Sequence, residues 1–231
     1  MDGLELPGVD LTGIELVREV LVEARSRGLL GSGSVSGHIE HAIGFGVAIE
    51  RNQSTDRPPV GAAQDPVRVL DLGSGAGLPG LVLATILPHT QTTLLDSSAR
   101  RCEFLREAVV SCGLSPRVDV VNERAEVAGR LPGIRSSFDV VVVRSFGPPP
   151  VVAECGSPFL VTGGVMIVSE PPPDREDESN ARWPNDGLRL LCLESQGTVK
   201  TEFTYRVIRQ DAPCPEQFPR RTGIPSKRPL W

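Results

Sequence analysis

No stretch of this 231-residue chain approaches the roughly 18 consecutive apolar residues of a membrane-spanning helix, which excludes a protein held in a bilayer by such helices. The opening, MDGLELPGVD, lacks a basic flank and an apolar segment, so no secretory signal is expected and the expected location is cytoplasmic. The five cysteines (Cys102, Cys112, Cys155, Cys192, Cys214) are odd in number and too far apart for a C-x-x-C pair. They give neither a disulfide framework nor a zinc knuckle, and small buried apolar groups are their expected role. The three histidines, His38, His41 and His89, form no H-E-x-x-H cluster, and no metal is expected. Basic charge is also in deficit. A formal net charge of −5 excludes a protein that grips nucleic acid by its overall field, leaving room only for a local basic patch.

What the chain does have is VRVLDLGSGAGLPG, from Val67 to Gly80. A β-branched run rises to Asp71. Glycines at 73, 75 and 77 then break it, and Leu78 and Pro79 open an apolar helix. Glycine is needed where the backbone turns sharply and comes close to a ligand. The free N–H groups of such a turn face whatever lies across the strand ends. Gly75, Gly77 and Gly80 also satisfy the dinucleotide pattern G-x-G-x-x-G. The acid at Asp71 ranks that reading second, because it would repel a pyrophosphate but suits a cationic, amine-bearing ligand. With Asp71 the run reads D-x-G-x-G-x-G, which resembles the class I methyltransferases that bind S-adenosylmethionine.

Around this turn the pattern predicts a doubly wound α/β domain. Thr12 to Glu15 has capping-box spacing before an apolar helical stripe that Gly28 closes, and a shorter helix follows from His38 to Ile49. Arg51 to Pro66 reads as a linker. Strands are expected at Thr92–Asp96, Val118–Asn122, Phe138–Ser145, Val165–Ser169, Leu188–Glu194 and Phe203–Arg209. Crossover helices are expected at Leu81–Leu87, from a Ser97 cap to Cys112, and at Val151–Leu160. The proline-rich acidic stretch after Pro171 reads as a loop with a solvated surface. The expected organisation is a helical extension and linker over 1–66, a core over 67–212 and a basic tail over 213–231.

In an open parallel sheet, ligands sit beyond the carboxyl ends of the strands. Asp96 ends the second strand about 20 residues past the glycine turn, where an acid accepts hydrogen bonds from ribose hydroxyls. Ala125 and Glu126 follow the third strand and can hold an adenine edge or amine. Arg144, ending a strand of valines, must reach solvent, a carboxylate or a ligand. Arg220, Arg221, Lys227 and Arg228, with no acid after Glu216, are the candidate contacts to RNA phosphates.

The runs LDLGSGAGLPGLVLA, LLDSSARRCEFLREAV, NERAE, FDVVVVRSF and FPRRTGIPSKRPL together resemble the GidB/RsmG family of rRNA methyltransferases, over roughly residues 16–170 and the last dozen. The resemblance implies a Rossmann-like class I methyltransferase fold with a short N-terminal helical extension. It implies S-adenosylmethionine as cofactor, bound through Gly73, Leu78, Ala125, Glu126 and Arg144, to which the turn and the strand spacing add Gly75 and Asp96 as expected contacts. The implied reaction is methylation of a guanine N7 in 16S rRNA of the small ribosomal subunit. A monomer is the expected state. Guanine N7 has an exposed lone pair and no proton to lose, so no general base is expected. Two positions depart from the family: His41-Ala42 stands where an Arg-His pair is usual, and Ser169-Glu170 where a Lys-Gly is usual. They leave as the alternative a relative that keeps the fold as an RNA or ribosome-assembly binding module.

Overall fold

The computed structural model describes residues 11–52, 66–171 and 181–231. Two helices, α1 (Leu11–Ser26) and α2 (Val35–Arg51), lead into β1 (Val67–Leu72), α3 (Gly80–Ile86), β2 (Thr90–Asp96), α4 (Ala99–Ser111) and β3 (Val118–Asn122). Then follow α5 (Ala125–Ala128), β4 (Phe138–Val143), α6 (Pro149–Gly156), a 3-10 turn (Ser157–Phe159) and β5 (Leu160–Glu170). The chain ends with α7 (Asn185–Arg189), β6 (Leu193–Lys200), β7 (Thr204–Gln210) and α8 (Ile224–Lys227).

The strands form one sheet in the order β3-β2-β1-β4-β5-β7-β6, with β7 antiparallel to both of its neighbours. The chain winds outward from β1 in one direction and returns at β4 to wind in the other. A crevice therefore opens beyond the carboxyl ends of β1 and β4. Valines of β4 are buried on both faces, as a strand between two parallel neighbours requires. Val140 and Val142 join the layer of α1 to α4, whereas Val141 and Val143 join the layer of α5, α6 and the tail.

Several boundaries differ from the sequence expectation for local reasons. Thr12 lies inside α1 and so caps nothing. Ser34 caps α2 through the Gly37 N–H, which starts that helix three residues early. Ser98, not Ser97, caps α4. Residues 157–159 tighten into the 3-10 turn, which ends α6 early. β5 runs straight through Gly163, whose φ of 83° accommodates a bulge against β4. Residues 185–189 are helical, burying Leu188 ahead of a strand that starts only at Leu193. Most of the expected linker and of the acidic loop lies outside the described residues. Cys102, Cys155 and Cys214 are buried, and all five thiols are free.

Gly44 shows why α2 carries a glycine in its interior. A Cβ there would overlap the Tyr205 hydroxyl and stand 2.6 Å from Cζ, and that hydroxyl donates to the His41 carbonyl at 2.8 Å. Helix propensity alone favours alanine by about 1 kcal/mol. Gly44→Ala is nevertheless expected to destabilise the fold by about 1–3 kcal/mol through overpacking. Urea unfolding would measure it, and a stabilised variant would show that Tyr205 can step aside.

Candidate functional site

The glycine turn lies between β1 and α3 with Gly73, Gly75 and Gly77 all at positive φ. Its shape is fixed from below. Gly73 and Ser74 donate to the Leu95 carbonyl at 2.8 and 3.0 Å, and Asp96 Oδ2 accepts the Gly75 N–H at 2.9 Å. Asp96 Oδ1 accepts the Ser98 N–H at 2.8 Å, so one carboxylate ties the turn to the start of α4. Each oxygen keeps a lone pair for a further donor.

Beyond these strand ends is a cavity of about 260 Å³. Gly73, Asp96, Ala125 and Glu126 line it, and Ser226 reaches it from the tail. Glu126 is 5% exposed. Burial works to raise its pKa, but hydrogen bonds from the Gly223 N–H (2.9 Å) and Arg124 (3.1 Å) outweigh that and hold it low. The same carboxylate that borders the cavity thus pins the tail beside it.

Three expected cofactor contacts are placed differently. Gly75 gives its N–H to Asp96 and is not in the cavity wall. Leu78 is buried in the core and gives its N–H to the Ser74 carbonyl at 3.1 Å. Arg144 is also absent from that wall. Strand alternation turns it with Val140 and Val142 toward α2, where Nη2 meets His38 Nδ1 at 2.6 Å. Asp71 lies on that same face. It is 1% exposed, and its Oδ2 accepts the Gly80 N–H at 2.9 Å. Asp71 Oδ1, Arg144 Nη1, His38 Nε2 and His41 Nε2 are buried without a hydrogen-bond partner. Burial pushes Asp71 up to about 7, against the pull of the Gly80 N–H, Ser74 and the Arg144 charge. It lowers His41 to about 4, with Arg144 and His38 adding to the effect.

A second cavity, about 480 Å³, lies on the other side of the end of β4. His41, Phe146, Trp183 and Phe203 form its aromatic walls, and Ser169 and Glu170 also line it. His41 and Phe203 stack at 4.3 Å. The two cavities share Ser145 and Phe146. Ser145 holds φ 54°, an uncommon value for a non-glycine residue, and a Cβ on Gly73 would come within 2.6 Å of Phe146 Cδ2. These aromatic residues come from four separate segments. Of these, His41 was marked in the sequence as a departure from the family pattern, and Phe146 directly follows the valine strand.

The tail folds back on the core. Arg135 donates to the carbonyls of Gly129, Cys214, Pro215 and Phe218, and Arg130 to those of Gln217 and Pro219. Arg220 pairs bidentately with Glu154, which is fully buried, at 2.8 and 2.6 Å. Its guanidinium thus neutralises an internal charge. Arg221, Lys227 and Arg228 are exposed.

The Asp96 and Glu126 carboxylates that line the first cavity fit an adenosine-bearing ligand there. Among the described residues no group of three His, Cys, Asp or Glu could hold a metal, and no helix is long and apolar enough to cross a membrane. The fold is similar to that of an O-methyltransferase from Bacillus cereus solved in complex with SAH, with a TM-score of 0.58 at 16% identity, covering 84% of this chain and 90% of that one. A ribosomal RNA small subunit methyltransferase G of Prochlorococcus marinus (strain MIT 9313) is 38% identical over 178 residues, 73% of this chain and 70% of the relative. Its counterpart in Synechococcus sp. (strain RCC307) is 33% identical over 170 residues, 72% of each chain. The model of the GidB family, rRNA small subunit methyltransferase G, matches residues 59–182, and with these relatives it places the chain in that family: this is a GidB-family protein with a class I methyltransferase fold.

Proposed function

We propose that the chain transfers a methyl group from S-adenosylmethionine to N7 of a guanine in the 16S rRNA of the small ribosomal subunit. The observation that carries this is the meeting of the two cavities at Ser145 and Phe146, beyond the carboxyl ends of β1 and β4. When bound, the cofactor supplies an electrophilic methyl on a sulfonium. The chain's own residues do the rest. Asp96 accepts from ribose hydroxyls while it holds the turn, and Ala125 and Glu126 border the adenine. N7 carries no proton, so the work is alignment and exclusion of water rather than proton transfer. The helical extension adds His41 to the acceptor side, and the tail adds Ser226 to the cofactor side.

Transfer of labelled methyl from S-adenosylmethionine to isolated small subunits and to naked 16S rRNA, followed by nucleoside digestion, tests the reading. The expected product is 7-methylguanosine. Another methylated nucleoside would overturn the N7 assignment, and none with either substrate would overturn the reaction. For RNA contact, the triple variant Arg221→Ala, Lys227→Ala, Arg228→Ala is expected to reduce the slope of log affinity against log salt by about 2–3. An unchanged slope would remove the tail from the RNA interface.

A further inference from the structure

We propose that the aromatic cleft beside β4 receives the acceptor base and that Glu170 is the residue that reads it as guanine. The inference rests on the reaction above and names its specificity site. If N7 faces the methyl group, the Hoogsteen edge of the purine points toward Ser145 and the cofactor cavity. The opposite edge, with the N1–H and N2–H₂ donors, then points away from Ser145 into the cleft. That edge needs an acceptor, and Glu170 lines the cleft with a carboxylate.

Three features suit Glu170 to this task. It terminates β5, the strand next to β4, so its place relative to Ser145 is set by the sheet rather than by a loop. Its side chain is only 4% exposed, so a donor pair meeting it is shielded from water and an acceptor meeting it is left unpaired. Its carboxylate is held in place by the Trp183 indole N–H and by Arg182, each on a different oxygen, with one lone pair left on each. Arg206 adds positive charge 3.9 Å behind it and is itself 2% exposed. His41, Phe203, Phe146 and Trp183 supply flat faces against which an unstacked base can lie.

Adenine in the same pose presents the N1 acceptor to the carboxylate. It should be rejected. Hypoxanthine keeps N1–H but lacks the second donor, and should fall between. A good two-point contact to a base discriminates by roughly tenfold or more.

Only two tryptophans occur in the chain, so quenching of intrinsic fluorescence can report on the cleft. The full chain, saturated with S-adenosylhomocysteine, is titrated with GMP, IMP and AMP. Saturable quenching is expected in the order GMP, IMP, AMP, with GMP at least about tenfold tighter than AMP. Trp183→Phe should abolish the signal. Glu170→Gln should bring GMP and AMP within about threefold of each other, while calorimetric affinity for S-adenosylhomocysteine stays within about threefold of the parent. Equal affinities in the parent, a preference that survives Glu170→Gln, or no saturable quenching by any nucleotide would overturn the proposal. Methyl transfer to rRNA reads the reaction separately. Methylated rRNA with a cleft indifferent to the base rejects the base pocket alone, whereas a guanine-selective cleft without transfer supports the pocket and rejects the reaction.

Discussion

Arg220→Ala is expected to destabilise the folded chain by about 3–5 kcal/mol, the usual cost of leaving a buried charge without its partner. Glu154 is fully buried and takes both guanidinium contacts, so the variant leaves it only the N–H of residue 220. Out of a typical total of about 5–15 kcal/mol, that loss is large. It should also be felt at a distance. Three residues beyond Arg220 the Gly223 N–H binds Glu126, and Ser226 lines the cofactor cavity, so loosening the tail is expected to weaken S-adenosylmethionine binding as well. Denaturant unfolding and calorimetric titration read the two effects. The double variant Arg220→Leu, Glu154→Leu removes both charges and should regain most of the stability. If the single variant unfolds like the parent, the pair does not anchor the tail.

How much of this was legible in the sequence depended on whether one segment carried the signal. β1, the glycine turn and β4 were readable because a strand buried on both faces must be an unbroken apolar run and a tight turn must be glycine. Asp96 was readable from its spacing alone. Arg144 ends the valine strand as its place in the sequence implies, and its contact with His38 follows from the period of two along β4. Counting from Val142, the side chain of Arg144 falls on the α2 face. The anchoring role of Arg220 was not legible. Its partner Glu154 lies 66 residues away, and no local pattern marks a carboxylate inside the apolar run of α6 as an anchor for a later arginine. The aromatic cleft was legible only in part: His41 and Ser169-Glu170 stand out as departures from the family pattern, but Phe146, Trp183 and Phe203 join them only through the sheet order.

The cluster of Asp71, Arg144, His38 and His41 leads to a pH dependence that is hidden in the parent and should emerge on substitution. Asp71 has its folded pKa raised from 3.8 to about 7, so between pH 4 and 7 the folded state binds more protons than the unfolded one. Its contribution therefore falls as pH rises across that window, by up to about 1.4 kcal/mol per unit. His41 does the opposite. With its folded pKa lowered from 6.5 to about 4, the unfolded state holds the extra proton, and stability rises between those values, by a smaller amount because the ring is partly open to the cleft. His38 is shifted down too and acts in the same sense. In the parent these slopes oppose one another. Asp71→Asn should unmask a rise in stability from pH 4 to 6.5, and His41→Gln a steeper fall from pH 4 to 7. Urea unfolding at pH 4.5, 5.5 and 6.5 measures both. Slopes that neither substitution changes would mean that Asp71 and His41 do not titrate across this window.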